Sequence, residues 1–321
     1  MFDQVNPGGF SSVELASSCH LRSTDASLRA RKPSTACDSG DYLYSSTRER
    51  HNQGGTKMEA IRKAVKRTFL YRIIKDMRAT KALSRWDAQD QKMFEFYSGF
   101  VAAGDLCMDV GANVGNRTKI FLRLGATVVA VEPQERCLRI LAKAFGKNPR
   151  LRLVRKALGE VESQAELHVS EVDTISSLSE NWIDAVKKSG RFSELRWDKK
   201  QTVQLTTLDK LLVEHGMPAF IKIDVEGFEY QVIKGLSRPV RVLSLEFTPE
   251  FLEPALKCID HLQRLGNVRT NYSLEENMAL ELDEWVSPAE VIRDLSRIGR
   301  DNKIFGDLYV RFETPPGKSK S

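Results

Sequence analysis

The feature that most constrains the fold is the stretch LCMDVGANVGNRT, residues 106–118, where an apolar run leads into a loop with two glycines four positions apart. Leu106 to Val110 predict a buried strand, and Gly111 follows where the chain must turn sharply into a helix. Gly115 allows the backbone to approach a ligand closely because glycine has no Cβ. A strand, a glycine loop and a helix in this order are typical of an open α/β sheet that binds a nucleotide at the carboxyl end of its first strand.

The residues of this loop indicate which nucleotide it binds. Asn113 stands where a dinucleotide loop, G-x-G-x-x-G, needs its second glycine, so a pyrophosphate fits poorly and an NAD-dependent dehydrogenase is disfavoured. A P-loop is excluded because no Gly-Lys-Ser/Thr follows. Asp109 repels phosphate but suits an ammonium group. S-adenosylmethionine carries an ammonium and no phosphate, so the sequence predicts it as the cofactor.

Acids at the ends of two further predicted strands agree with this cofactor. The strand in ATVVAVEP ends in Glu132, which can accept hydrogen bonds from both ribose hydroxyls, although taken alone it could be an exposed acid. The segment FIKIDVEGFE places Asp224 and Glu226 just beyond a strand that is expected to adjoin the first. These two acids could accept a proton from a hydroxyl or bind a metal ion. Alternatively, Asp224 orients the cofactor or caps the next helix.

The rest of the chain alternates strands and helices. Short apolar runs that predict strands lie near 105–110, 127–131, 151–154, 219–224, 240–246 and 307–312. Amphipathic stretches that predict helices lie near 116–124, 134–145, 228–236, 249–264 and 288–298. The alternation implies βαβ units on a largely parallel sheet. A more polar insert over residues 159–218 interrupts it and is expected to cap the site.

Five segments together resemble the FkbM family of S-adenosylmethionine-dependent methyltransferases, and they read DVGANVGNRT, VVAVEP, ALG, TLDKLL and IKIDVEGFEYQVIKG. The resemblance covers about residues 101–312. It implies an α/β, Rossmann-like class I methyltransferase sheet of seven strands flanked by helices. It also implies methylation of hydroxyl oxygens on sugars, polyketides and related glycosylated products.

The resemblance implies roles for single residues as well. The residues expected to line the cofactor are Asp109, Gly111, Ala112, Asn113, Gly115 and Glu132, with Ala157 near the adenine. Asp224 and Glu226 match the family's acidic pair and are the expected catalytic residues. The motif does not fix which of the two accepts the proton.

The predicted function is therefore O-methylation of a hydroxyl on a sugar, glycoconjugate or secondary metabolite. Two alternatives stay open, a nucleic-acid methyltransferase and a non-catalytic S-adenosylmethionine-binding protein. Nucleic acid is disfavoured because DVEG stands where base-amine methyltransferases carry an Asn/Asp-Pro-Pro-aromatic tetrapeptide. No metal is expected, because the acids at positions 224 and 226 are a small ligand set.

Other candidate residues lie outside the motifs. His168, in the insert, and His215, after the TLDKLLVEH helix, are rival bases. Trp182, Trp197 and Trp285 could stack on sugar rings, but packing in the core is the favoured interpretation.

The N-terminal part has a different composition. Residues 1–57 are rich in Ser, Arg, Asp and Gly, so they are predicted to be disordered, or else Met58 is the natural start. Residues 58–85 carry nine basic and two acidic residues, a net charge of +7, within a basic helical extension over residues 58–100. Its apolar stripe, which predicts a helix, consists of Ile61, Val65, Phe69, Ile73 and Met77. The stripe could pack on the domain, or the helix could contact an anionic surface such as lipid headgroups.

The whole chain carries a net charge of +6, a mild basic excess that does not indicate a dedicated nucleic-acid binder. No apolar run reaches the roughly 18 residues of a membrane helix. The five cysteines form no C-x-x-C pair, so reduced thiols and a cytoplasmic location are expected. The methyltransferase domain is predicted over residues 101–313, followed by a flexible tail at 314–321.

Overall fold

The structure is a computed structural model that describes residues 69–170, 175–298 and 304–313. These residues belong to one unit of the chain, Thr56–Ser321, and the other unit, Met1–Gly55, lies outside them. The predictions for residues 1–57, for the start of the basic helix and for the tail also fall outside the described residues.

Strands and helices alternate along the described residues. The strands are β1 Leu106–Val110, β2 Thr127–Val131, β3 Leu151–Val154, β4 Ala157–Leu158, β5 Ser163–Val169, β6 Lys199–Thr206, β7 Phe220–Ile223, β8 Val242–Phe247, β9 Val268–Leu274 and β10 Gly306–Phe312. The helices are α1 Phe69–Leu83, α2 Ala88–Ser98, α3 Asn116–Arg123, α4 Glu135–Phe145, α5 Glu180–Lys188, α6 Leu208–His215, α7 Glu229–Lys234, α8 Leu252–Leu265 and α9 Pro288–Ile298. A 3₁₀ turn, Pro249–Phe251, precedes α8.

The main sheet has seven strands in the order β3-β2-β1-β7-β8-β10-β9. Strand β1 pairs in parallel with β2 on one side and with β7 on the other, as the sequence predicts. Strand β10 runs antiparallel between β8 and β9. The predicted Rossmann-like α/β class is therefore confirmed. The carboxyl ends of β1, β2, β7 and β8 lie along one edge of the sheet, where open α/β sheets bind their ligands.

Each face of the sheet has its own hydrophobic core, because successive strand residues point to opposite sides. Met108 and Val110 of β1 pack in the core that includes buried residues of α6, α7, α8 and α9. Cys107 packs on the opposite face with residues of α2 and α3. Tyr97 of α2 makes edge contacts there with Phe121 and Phe220, at ring-centroid distances of 5.1 and 5.6 Å. Asp109 faces this second core, directly below the glycine loop.

Two strands of the polar insert pair with β4, just before it, in a second sheet that the sequence did not predict, with the order β4-β6-β5. Strands β5 and β6 were missed because their buried residues are few, Leu167 on β5 and Val203, Leu205 and Thr206 on β6, and therefore form no apolar run. Strand β9 was missed for the opposite reason. It buries polar residues, Thr270, Asn271 and Ser273, so it does not form an apolar run.

Helix α1 does not bury the described part of its predicted stripe. Ile73 is 38% exposed and Met77 is 56% exposed, which corrects the expectation that the stripe packs on the domain. Leu83 is buried instead, and Asp76 forms an ion pair with Arg136 of α4 at 2.6 Å. Among the described helices, none combines the length and the apolar character needed to cross a bilayer.

Gly111 allows a test of how closely the loop after β1 approaches the end of β7. Its φ is +78°, and a Cβ on it would lie 1.8 Å from the carbonyl oxygen of Asp224. Gly104 has a similar φ of +88°, but no described atom lies within 4 Å of the corresponding Cβ position. Gly104→Ala should therefore report only the cost of a left-handed alanine, about 1–2 kcal/mol.

Gly111→Ala is expected to cost at least about 2 kcal/mol more than Gly104→Ala, because the added methyl group must displace the backbone of Asp224. Urea unfolding of the two variants measures the difference in the free energy of unfolding. Equal losses would contradict the close approach of the two segments.

Candidate active site

The glycine loop after β1 is held mainly by hydrogen bonds from its own backbone. The N–H groups of Gly111 and Ala112 both donate to the carbonyl oxygen of Val131, at 2.9 and 3.1 Å. The N–H of Asn113 donates to Oε2 of Glu132 at 2.8 Å. Asn113 itself has a positive φ of 48°. These bonds tie the loop to the end of β2, so these three N–H groups serve the loop rather than a ligand.

Gly115 lies at the start of α3, close to a side chain of α4. A Cβ at this position would lie 2.4 Å from Cδ2 of Leu141 on α4, and the φ of Gly115 is +105°. The positive φ and the nearby Leu141 side chain both favour glycine here, and close approach to a ligand stays a prediction. Gly115 is also the N-cap of α3 and has no side chain to cap it. The first-turn N–H groups of α3 thus offer donors that a ligand could use.

Asp109 connects the end of β1 to the first turn of α3. It is buried, and its Oδ2 accepts a hydrogen bond of 2.5 Å from Oγ1 of Thr118. Burial raises the pKa of Asp109 to about 6, although the Thr118 hydrogen bond and the nearby Arg117 oppose this rise. The described contact is within the protein, so binding of a ligand ammonium by Asp109 stays a prediction.

Glu132 is 2% exposed and accepts one backbone N–H on each oxygen. Oε1 accepts from Gln134 and Oε2 from Asn113, both at 2.8 Å. Burial raises the pKa of Glu132 to about 7, although these hydrogen bonds lower it. Each carboxylate oxygen can accept a second hydrogen bond, so Glu132 could still accept one from each of two ribose hydroxyls.

Ala157, expected near the adenine, is the first residue of β4. Its side chain is 7% exposed and lies in a small core with Leu167, Val203 and Leu205. It follows β3, whose last residue, Val154, accepts a hydrogen bond from the Glu132 N–H. Ala157 is therefore on the expected edge of the sheet, with its side chain packed into the second sheet.

Three carboxylates converge at the ends of β7 and β8. Asp224, Glu226 and Glu246 each offer an oxygen, and these oxygens all lie within 4.8 Å of one another. Asp224 and Glu226 converge through a turn rather than an extended segment, because Glu226 has a φ of 52°. Positive φ is uncommon for a residue with a side chain and is found often at functional sites. Glu246, on β8, was not predicted from the sequence.

Glu229 holds the turn that carries Glu226. Its Oε1 accepts hydrogen bonds from the N–H groups of Val225 and Gly227, at 3.1 and 3.2 Å. Burial raises the pKa of Glu229 to about 7, although these bonds oppose the shift. Gly227 has a φ of +87°, and a Cβ on it would lie 2.3 Å from the side chain of Trp182. The unusual backbone of Glu226 is thus fixed from both sides.

The three carboxylates of the cluster repel one another. Burial, followed by the charges of Asp224 and Glu229, raises the pKa of Glu226 well above its ordinary value. Burial, followed by the charges of Glu226 and Asp224, does the same for the pKa of Glu246. The cluster therefore favours a bound proton or a nearby cation, and its oxygen donors suit a hard divalent ion.

Lys222 supplies the positive charge next to this cluster. It is 1% exposed, and its Nζ lies 2.7 Å from Oδ1 of Asp307 and 3.6 Å from Oδ2 of Asp224. Burial opposes the charge of Lys222, but Asp307 and then Asp224 raise its pKa above the ordinary value. A lysine inside the apolar strand FIKI could have marked this residue in the sequence. Its partner Asp307 lies on β10 and could not be predicted from the local pattern.

Arg117 was also missed by the sequence analysis. It is the second residue of α3, and its Nη2 forms an ion pair with Oε2 of Glu276 at 2.9 Å. Its Nη1 donates to the sulphur of Met93 at 3.1 Å. Arg117 thus connects the first turn of α3 with the segment between β9 and α9.

Neither histidine side chain has a described contact with the carboxylate cluster. His168 is on β5, and its Nε2 lies 3.1 Å from Oε1 of Glu180. His215 ends α6, just before β7 begins, and its Nδ1 lies 3.5 Å from Nη1 of Arg152. It is therefore at the amino-terminal edge of the sheet, opposite the candidate site.

The tryptophans behave as core residues. Trp182 and Trp197 are 1% and 8% exposed, and the Trp197 indole N–H donates to the carbonyl oxygen of Ile175 at 2.7 Å. Trp285 packs against Phe100, and the guanidinium of Arg311 lies 4.6 Å from its ring centroid. Their positions support the interpretation that they stabilise the fold.

The comparison with known families decides the identity. The model of the methyltransferase FkbM domain matches residues 109–270. This chain belongs to the FkbM methyltransferase family. Its cofactor is S-adenosylmethionine. The matched range contains Asp109 and Glu132 as well as the carboxylates Asp224, Glu226 and Glu246.

Other comparisons find distant similarities. No curated protein matches the chain. A precorrin-6Y C5,15-methyltransferase from Geobacter metallireducens is 11% identical, covering 69% of this chain and 87% of that one, with a TM-score of 0.36. A SAM-dependent O-methyltransferase from Thermotoga maritima is 10% identical, covering 73% and 69%, with a TM-score of 0.33. Cofactor-bound Rv0187 from MTB is 10% identical, covering 82% and 98%, with a TM-score of 0.33.

The buried acids Glu132 and Glu229 predict that the ligand-free FkbM protein loses stability as the pH rises. Their pKa values are about 7 in the folded chain, against an ordinary 4.5, so between these values the folded state binds more protons than the unfolded state. The stabilisation is complete below the ordinary pKa and is lost as the pH rises through the folded one. Urea titrations across this range should show the free energy of unfolding falling by up to about 3 kcal/mol for each acid.

Two glutamine variants test this prediction. Glu229→Gln keeps an oxygen acceptor for both N–H groups of the turn, so it should flatten the pH dependence without loss of stability at neutral pH. Glu132→Gln places an amide NH₂ against one of the two backbone N–H donors. Its free energy of unfolding should therefore be lower than that of the wild type by about 1–3 kcal/mol. A pH dependence that is unchanged in Glu229→Gln would contradict the assignment.

The buried ion pair of Lys222 generates a second prediction. Lys222→Met leaves Asp307 buried without its cation, and the free energy of unfolding is expected to fall by about 3–5 kcal/mol. Combining Lys222→Met with Asp307→Asn removes both charges, so the double variant should be more stable than Lys222→Met alone. Additive losses in urea unfolding would show that the two side chains do not interact.

Proposed function

We propose that this methyltransferase transfers its methyl group to a hydroxyl oxygen on a sugar, glycoconjugate or secondary metabolite. The observation that carries the proposal is the cluster of Asp224, Glu226 and Glu246 beside the cofactor loop. An alcohol must lose a proton as it is methylated, whereas a neutral amine can attack first and lose its proton afterwards. Carboxylates placed where the acceptor enters suit the first requirement.

Residues at the carboxyl ends of β1, β2 and β7 can be matched to parts of the cofactor. S-adenosylmethionine supplies a methyl group that is already activated by its positively charged sulphur. Glu132 would accept the ribose hydroxyls through its remaining lone pairs. The first-turn N–H groups of α3 would receive the methionine carboxylate, and Asp109 or Asp224 would accept the methionine ammonium.

Glu226 is our candidate for the proton acceptor. Its raised pKa makes the ionised form a stronger base than an ordinary carboxylate. As the new carbon–oxygen bond forms, the hydroxyl proton would pass to Glu226, while Asp224 orients the hydroxyl. Lys222 supports this division of roles because its ammonium lies 3.6 Å from Oδ2 of Asp224 and can hold that carboxylate in position.

A divalent cation held by the cluster would act by lowering the pKa of the alcohol. A non-catalytic role is less well supported, because a cofactor scaffold needs no carboxylate cluster at the acceptor side.

A cytoplasmic location remains a prediction. It is supported by Cys107, Cys137 and Cys258, which are buried and form no disulfide.

Glu226→Gln tests the proposal because it keeps the shape of the side chain and removes its charge. Turnover, measured as release of S-adenosylhomocysteine with hydroxyl-bearing acceptors, is expected to fall about 10²-fold or more. Cofactor affinity, measured by calorimetry, should change little. Asp224→Asn should lower both turnover and affinity. Glu253→Gln, an exposed acid on α8, is the matched control and should change neither.

The product decides the reaction class. A labelled methyl group found on nitrogen or carbon would overturn the proposal. A wild-type rate in Glu226→Gln would overturn the assignment of Glu226 and make His168 the next candidate base. A chelator tests the metal alternative. If it abolishes turnover and magnesium restores it, the carboxylates are ligands of a metal ion rather than direct proton acceptors.

A further inference from the structure

The exposed face of α1 is both apolar and basic. Ile73, Ile74 and Met77 are 38%, 40% and 56% exposed. With 3.6 residues per turn, these three side chains fall within an arc of about 100° on the helix surface. Lys81 lies within the same arc and Arg78 directly beside it, and both are exposed. This arrangement is typical of helices that lie in the interface of a membrane.

The opposite face of α1 attaches the helix to the domain. Asp76, the one acid in the α1 sequence, forms its ion pair with Arg136 of α4 on this side. Leu83 is buried there. The acid of the helix is thus neutralised within the protein, and the exposed face carries positive charge beside its apolar side chains.

A groove adjoins this face, between the C-terminal ends of α1 and α4. Its volume is about 370 Å³. The residues lining it are Met77, Thr80, Lys81, Leu83, Ser84, Lys143, Ala144 and Phe145. The groove therefore combines apolar side chains with two lysines, one from each helix. An anionic group attached to an apolar chain matches both features.

We propose that the exposed face of α1 binds the surface of an anionic phospholipid bilayer. Ile73, Ile74 and Met77 would enter the boundary between headgroups and acyl chains, and Lys81 and Lys143 would contact a lipid phosphate in the groove. Nucleic acid fits this face less well, because exposed aliphatic side chains gain nothing from a phosphate backbone.

Vesicle flotation with the full chain tests the proposal. The protein should float with phosphatidylcholine vesicles that contain phosphatidylserine and should stay below vesicles of phosphatidylcholine alone. Ile73→Asp with Met77→Asp should reduce the bound fraction at every salt concentration, because it removes apolar insertion. Lys81→Glu with Lys143→Glu should weaken binding at least about tenfold at low salt, because it reverses two charges near the surface.

Matched controls separate this face from general effects of the substitutions. Val161→Asp with Val213→Asp changes two apolar residues that are 61% and 74% exposed elsewhere. Lys188→Glu with Lys199→Glu reverses two other exposed charges. Both control pairs should float like the wild type, and circular dichroism and cofactor binding report whether each variant is folded.

Three outcomes would overturn the proposal. The first is that the full chain binds no anionic vesicles. The second is that the control pairs lose as much binding as the α1 variants. The third is that the protein binds a single-stranded RNA oligonucleotide more tightly than vesicles, and that Lys81→Glu with Lys143→Glu weakens this RNA binding whereas Ile73→Asp with Met77→Asp does not. The test does not depend on which acceptor the enzyme methylates.

Discussion

The close approach of Gly111 to the carbonyl oxygen of Asp224 is the constraint on which the rest of the site depends. Pairing of β1 with β7 brings the two segments together, and the Asp224 N–H donates to the carbonyl oxygen of Val110 at 2.9 Å. No side chain fits between them. The glycine loop and the acidic cluster are therefore held together by one backbone contact, which would position the methyl donor and the acceptor relative to each other if the two bind as proposed.

The electrostatics of this unit follow from an excess of carboxylates. Asp224, Glu226 and Glu246 share a small space with Glu229, and Lys222 is the buried cation beside them. Burial, and then the like charges that the fold holds together, raise the pKa values of Glu226 and Glu246. We infer that a cationic ligand relieves this repulsion. The sulphonium and ammonium groups of the cofactor both carry that charge.

The sequence predicts features that local patterns encode, and it fails where distant segments meet. Asp109, Glu132 and Asp224 could be found because each follows an apolar run that ends at the same edge of the sheet. Lys222 and Asp307 could not be paired, since 85 positions separate them. Strands β5, β6 and β9 were not predicted because polar residues interrupt their apolar residues, so none of them forms an apolar run. Gly115 was recognised from its motif, but its closeness to Leu141 was not, because that residue lies on another helix.

The central claim is that the cofactor loop and the carboxylate cluster act on one reaction centre. A crystal structure with S-adenosylhomocysteine bound tests it most directly. The account predicts the ribose hydroxyls within hydrogen-bond distance of Glu132 and the sulphur atom facing Asp224 and Glu226 across an open acceptor cleft. A cofactor whose ribose avoids Glu132, or whose sulphur faces another element such as β5 with His168, would contradict it.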